Sequence, residues 1–129
     1  MAEATADIGA INYIVSLKAG GHSLTADEPA ARGGKDAGPA PYDLLAGSLA
    51  ACTAITLRMY AERKQWPLES AQVEVRFKRT PDKSASIDRV LRLKGALTDE
   101  QRSRLADIAE RTPVTLTLRS GIEIRTTLK

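Results

Sequence analysis

From Ile11 to Lys18 apolar and polar residues alternate, so that Ile11, Tyr13, Val15 and Leu17 share one side. That period of two predicts a half-buried strand. Gly20-Gly21 makes a tight turn, and His22 to Ala26 returns as a second strand. Residues 1–9 read as a loose tail. A long loop follows, Asp27 to Pro41, with prolines at 29, 39 and 41 and glycines at 33, 34 and 38. Loops of this length in a compact domain are usually functional or mobile. Within it Asp36 is read as a turn former, since aspartate readily bonds its own backbone.

The period then changes. Pro41 suits a first helical position, Asp43 puts negative charge in the first turn, and no proline occurs from there to Lys64. Leu45, Leu49, Cys52, Thr56 and Met59 fall on one stripe, with Leu44, Ser48, Ala51 and Ile55 beside it. Together they form a wide apolar helix face. Arg58, Arg63 and Lys64 complement the negative end of the helix dipole, and Trp66-Pro67 ends the element. Val73, Val75 and Phe77 alternate with polar neighbours, and Ile87 to Lys94 returns with Leu91 and Leu93 inward. Thr98-Asp99-Glu100-Gln101 is a capping box opening a second helix with the stripe Leu105, Ile108, Ala109. Thr112-Pro113 stops it; a short segment, Val114 to Leu118, leads to a last strand in which Ile122, Ile124 and Thr126 alternate. The order β-β-α-β-β-α-β, with more hairpins than crossovers, predicts one α+β domain over 1–129 with a mainly antiparallel sheet.

Composition narrows the function. Aromatics are only 4% of the chain, so aliphatic residues and alanine must build the core. The formal charge of +3 is mild. Arg76, Lys78, Arg89, Arg92 and Lys94 alternate with apolar residues on the predicted strands and read as solvated positions. Without interleaved aromatics they make no nucleic-acid platform. No window approaches the ~20 apolar residues a bilayer span requires, and the acidic start, Met1 to Asp7, carries no apolar signal core. A cytoplasmic protein without membrane or nucleic-acid partners is expected. One His, one Cys and no clustered ligands argue against a metal site, and no cofactor is expected. Gly33-Gly34-Lys35 is not a phosphate loop, because no Ser or Thr follows the lysine. The helix over Leu44–Met59 is apolar around more than half its circumference, more than one thin sheet can cover. A homodimer with this helix at the interface is the expected remedy.

The one cysteine of the chain, Cys52, lies among the small residues Gly47 to Ala54 of this helix. A lone thiol is either an inert packing residue or a nucleophile. It stands about 15 Å along the axis from the helix start, too far for the dipole to help a thiolate. A nearby cation is therefore needed, and Arg58, His22, Lys18 and Arg32 are the candidates. Arg58, six positions on, points about 120° away around the helix.

Three stretches then carry a resemblance: Asp27-Glu28-Pro29; Gly33 through Leu45; and Leu49-Ala50-Ala51-Cys52-Thr53-Ala54-Ile55-Thr56-Leu57-Arg58-Met59-Tyr60. With Lys64-Gln65-Trp66-Pro67-Leu68, Gly95-Ala96-Leu97 and Ile108 to Val114 they resemble the OsmC/Ohr family, the osmotically inducible and organic hydroperoxide resistance proteins. The resemblance implies two intertwined α+β subunits that lend strands to each other, long helices at the centre, and thiol peroxidase chemistry. Typical members use a first cysteine on the long helix and a second in a Cys-Pro-Val-like motif. Cys52 matches the first position; Thr112-Pro113-Val114 stands where the second is expected, so the resolving cysteine is missing. A glutamate common just after the helix-opening proline is replaced by Tyr42, followed by Asp43. The candidate catalytic set is thus Cys52 in the peroxidatic position, Thr112 in place of the resolving thiol, Asp43 and Arg58. The implied partners are an organic hydroperoxide and an external thiol reductant. The alternative is a catalytically inactive dimer that binds another small apolar molecule, with Cys52 a packing residue.

Overall fold

The structure is a computed structural model and describes residues 1–129. The chain forms two compact units, Met1–Leu45 and Ala46–Lys129.

The first unit carries an antiparallel sheet ordered β1-β2-β3: β1 (Ala4–Ile8), β2 (Val15–Ala19) and β3 (His22–Ala26). The β2–β3 hairpin turns at Gly20-Gly21, as the sequence predicts, and pairs Val15 with Ala26 and Leu17 with Leu24. The reading of residues 1–9 as a loose tail is corrected: Ala4 to Ile8 pair with Ala19 to Val15. Every residue of β1 is exposed, so no apolar alternation marks it. Backbone pairing to the free edge of β2 holds it there.

The loop after β3 is organised by Asp27. This residue is 2% exposed, and its carboxylate accepts hydrogen bonds from the backbone N–H groups of Tyr13, Glu28, Lys35 and Ala37 at 2.7–3.2 Å. Burial pushes the carboxyl up, but the four backbone donors together hold it below the usual carboxylate range. Gly34 and Gly38 let the loop fold back on itself. A Cβ on Gly34 would stand 2.0 Å from the Glu28 carbonyl oxygen, and one on Gly38 would stand 2.1 Å from that of Thr25. Asp36 has a φ of 53° and donates its N–H to the Glu28 carbonyl. The unit ends with the first residues of α1 (Pro41–Lys64). There the Asp43 carboxylate accepts from the Ala40 N–H at 3.0 Å, closing the helix start.

The second unit contains the rest of α1, the ten-residue strands β4 (Ser70–Arg79) and β5 (Ala85–Lys94), α2 (Asp99–Ala109) and α3 (Pro113–Ser120). Helix α1 ends in a Schellman turn. Gln65 takes a φ of 58°, its N–H donates to Glu62, and the Trp66 N–H donates to Ala61. Strands β4 and β5 pair antiparallel with Val73 opposite Leu91 and Phe77 opposite Ile87. The Thr98–Gln101 capping box opens α2 as expected. Leu57 of α1 and Leu105 and Ala109 of α2 form the buried core, with Tyr60, Trp66, Leu91, Leu93, Leu97 and Ile108 packed against it.

Two elements differ from expectation. Thr112 not only ends α2 but caps α3, its hydroxyl accepting from the Thr115 N–H with Pro113 in the first helical turn. The cap and proline outweigh the poor helix propensity of Val114, Thr115 and Thr117. Residues 121–129, expected as a last strand, are exposed and form neither helix nor strand. Apolar alternation marks a strand only where another strand offers an edge, and Ile122 and Ile124 pair with none in this chain.

The expectation that nothing is long and apolar enough to span a bilayer is also corrected. Helix α1 has 24 residues and a mean hydropathy of 1.4 over its most apolar stretch, which suffices by length and composition. Core helices pass the same test, and Leu49, Thr53, Leu57 and Ala61 of α1 are buried within the chain.

Candidate active site

Leu49, Thr53, Leu57 and Ala61 recur every four residues, so α1 turns this row into its own chain. The stripe expected to be buried, running through Cys52, Thr56 and Met59 with Ile55 beside it, shares only Leu49 with that row. Ile55 is 54% and Met59 59% exposed. Helix periodicity finds apolar rows but does not say which one the chain itself covers. Cys52 thus lies on the flank of the open face, half-buried and not in a disulfide. Small residues surround it: Gly47, Ser48 and Ala51 are exposed on the helix surface.

Behind the cysteine, the next residue joins a polar network. The Thr53 hydroxyl donates to the Leu49 carbonyl at 2.7 Å and accepts from Arg89 Nη1 at 3.0 Å. The same Nη1 donates to Thr115 Oγ1 at 2.9 Å. Thr115 donates in turn to the Ala109 carbonyl at 3.3 Å and lies 2.6 Å from the Thr112 hydroxyl. Thr53, Thr112 and Thr115 are all buried, and the Arg89 side chain is only 12% exposed. The second guanidinium nitrogen lies 3.8 Å from the Glu110 carboxylate, which Arg119 also contacts. The guanidinium thus ties α1, immediately after Cys52, to the first turn of α3, where Thr112 stands. Every buried side-chain polar atom has a partner. An arginine so satisfied fixes the elements it touches.

Arg89 escaped the sequence reading, which counted it among solvated strand positions. Yet Ile87, Arg89, Leu91 and Leu93 are the half-buried residues of β5, one side of the strand, while Asp88, Val90 and Arg92 are exposed. A charged residue in the apolar phase of an alternation was the available signal. Val75 stands opposite it on β4.

The other named cations lie elsewhere. Arg58 donates from Nη1 to the Leu68 carbonyl at 2.7 Å and from Nη2 to the Glu69 carbonyl at 3.1 Å, so it fastens the segment after α1 to the helix. His22, Lys18 and Arg32 are exposed residues of the first unit, on β3, β2 and the 3-10 turn Ala30–Arg32. Asp43 is occupied in closing the start of α1. Within the second unit the structure therefore brings together Thr53, Arg89, Thr115 and Thr112, with Cys52 one residue before Thr53 on α1. Its chemical inventory is one partly accessible thiol on an apolar helix face, with a paired cation and three hydroxyls behind. No three His, Cys, Asp or Glu side chains gather as metal ligands.

Known proteins match this arrangement at the level of fold. An OsmC-like protein from Mycoplasma pneumoniae superposes with a TM-score of 0.76 at 19% identity, over 92% of this chain and 87% of that one. An organic hydroperoxide resistance protein OsmC from Legionella pneumophila gives 0.66 at 26% identity, over 92% and 89%. An organic hydroperoxide resistance protein from Elizabethkingia anophelis gives 0.69 at 21%, over 95% and 91%. No curated protein sequence matches the chain. The model of the family described as OsmC-like protein matches residues 33–127, which takes in the Gly-rich loop, the cysteine helix and both later helices. By that match, which spans both units, the chain belongs to the OsmC-like protein family.

Proposed function

We propose that this protein is a one-cysteine thiol peroxidase for organic hydroperoxides. The observation that carries the proposal is the position of Cys52, half-buried on the open apolar face of α1 in a chain with no second cysteine. Membership of the OsmC-like family and likeness to organic hydroperoxide resistance proteins support it.

In the proposed cycle the Cys52 sulfur attacks a peroxide oxygen. The O–O bond breaks, an S–O bond forms, and the thiol proton passes to the departing alkoxide. Sulfur is oxidised to a sulfenic acid and the hydroperoxide is reduced to its alcohol. Thr112 offers no thiol to trap that sulfenic acid. An external monothiol therefore condenses with it, releasing water and leaving a mixed disulfide. A second monothiol restores Cys52 and leaves as the external disulfide. The exposed Ile55 and Met59 beside Cys52 offer apolar contact to the organic part of the peroxide. The proposed partners are a second copy of the chain, whose α1 covers part of this apolar row, and the small thiol. The proposed setting is the cytoplasm, where such thiols stay reduced.

One observation favours a second reading. Arg58 is engaged by backbone carbonyls and Arg89 by three hydrogen-bonding or ionic partners, so neither arginine is free to serve a thiolate. In that reading the dimer binds an apolar molecule and Cys52 merely packs. Trapping separates the two. Treated with cumene hydroperoxide and a sulfenic-acid-specific dione, the intact protein gains one trap mass, and Cys52→Ser gains none. A thiol left unlabelled in excess peroxide selects the binding reading.

A further inference from the structure

Away from Cys52, the C-terminal end of α1 and the N-terminal half of α2 enclose an open cleft of about 870 Å³. This volume is within the range of small-molecule sites. Its wall combines two aromatic rings with cations. Tyr60 and Trp66 meet edge to face, with centroids 5.5 Å apart and planes at 67°. Arg104 Nε donates to the Tyr60 hydroxyl at 3.1 Å, and its guanidinium lies 5.9 Å from the Tyr60 ring centroid. The Lys64 ammonium stands 5.7 Å from the same centroid. Thr98 and Ser103 add hydroxyls to the lining.

The carboxylates present leave one of these cations unpaired. Asp107 is shared by Arg104 at 2.9 Å and Arg111 at 3.0 Å, and Glu100 is the other acid on the wall. Two cations, Lys64 and Arg104, and two carboxylates line the cleft; Asp107 is divided between Arg104 and Arg111, and Lys64 has no ion pair. The Arg104 hydrogen bond, with the charges of Arg104, Lys64 and Arg111, pulls the Tyr60 hydroxyl below its usual range. Both cations of the wall thus stand beside the Tyr60 ring. An aromatic face beside an unpaired ammonium and a guanidinium selects a flat ring bearing an anion, which stacks and pairs at once.

We propose that this cleft is a binding site for small planar aromatic anions, separate from the Cys52 face. The readout is built in, because Trp66 is the one tryptophan of the chain. Benzoate is the probe, with benzamide as the uncharged ring and acetate as the anion without a ring. Excited at the red edge, Trp66 fluorescence in the full chain changes saturably with benzoate, with a midpoint on the order of 1 mM for so small a ligand. Benzamide and acetate bind at least about tenfold more weakly, and added salt weakens benzoate. Lys64→Met and Arg104→Met each raise the benzoate midpoint at least about fivefold without altering the response to benzamide, and Cys52→Ser leaves it unchanged. Because Lys64 sits at the helix end and Arg104 on the surface of α2, at least one variant keeps the fold, and urea midpoints check this. The proposal is overturned by a linear, unsaturated response to benzoate, by equal binding of benzamide, or by folded variants that bind benzoate as the parent does.

Discussion

Two residues carry the local physics, and each is open to test. Asp27 holds four backbone amides, and its depressed pKa fixes a sign. The folded carboxyl binds its proton less tightly than the unfolded one, whose reference value is 3.8. Its stabilisation is therefore complete above that value and is lost as pH falls through the lower folded value. Asp27→Asn, which presents an N–H₂ where Lys35 and Ala37 donate, lowers the urea midpoint at neutral pH. It also flattens the decline as pH falls below about 4. Asp82, held at about 2 by hydrogen bonds from Thr80 and Ser84, contributes alike in both proteins, so the difference isolates Asp27. Parallel urea-midpoint curves for the two proteins contradict this role. Arg89 is the second residue. Arg89→Met keeps the stem but strips partners from Thr53 and Thr115, and urea unfolding should show a loss of about 2–3 kcal/mol. A loss no larger than that of a surface arginine such as Arg76 means the network does not hold α1 to α3.

At the scale of elements, the two rows of α1 have different duties. Leu57 is 0% exposed in the core with Leu105 and Ala109, so Leu57→Ala costs about 3 kcal/mol by the transfer and cavity terms. Ile55, at 54% exposure, meets little of its own chain. Ile55→Ala therefore costs under about 1 kcal/mol in chain stability. If a second copy covers that row, the same substitution raises the concentration at which sedimentation shows dissociation. Equal stability losses for the two substitutions contradict the assignment of faces. The elements themselves were largely legible. Local signals gave the β2–β3 hairpin its glycine turn, α1 its proline start and Trp66-Pro67 end, and α2 its capping box. Three features were not legible, each for a physical reason. Strand β1 rests on backbone pairing without apolar alternation. Thr112 serves two helices at once, and its second role is hidden by β-branched neighbours. Ile122 and Ile124 carry a strand's pattern but find no edge in this chain. The site was half legible: composition and motif pointed to Cys52, while Arg89 was hidden among residues that resembled ordinary strand charges.

For the molecule as a whole, one family match runs through both compact units. Apolar residues nonetheless remain open on the second unit: Ile55, Met59, Val90, Leu116, Ile122 and Ile124 are each at least 42% exposed. Ile55 and Met59, the exposed pair on the helix that bears the lone thiol, are where a second copy and an organic peroxide would both meet the protein. The absence of a second cysteine gives the proposed cycle a distinctive dependence. With no internal disulfide to form, the rate of turnover must follow the supply of an external thiol. The deciding measurement is steady-state consumption of cumene hydroperoxide with a monothiol as the sole reductant. Turnover that rises with monothiol concentration and vanishes in Cys52→Ser is the predicted result; peroxide loss no faster than with monothiol alone, or equal in Cys52→Ser, contradicts it.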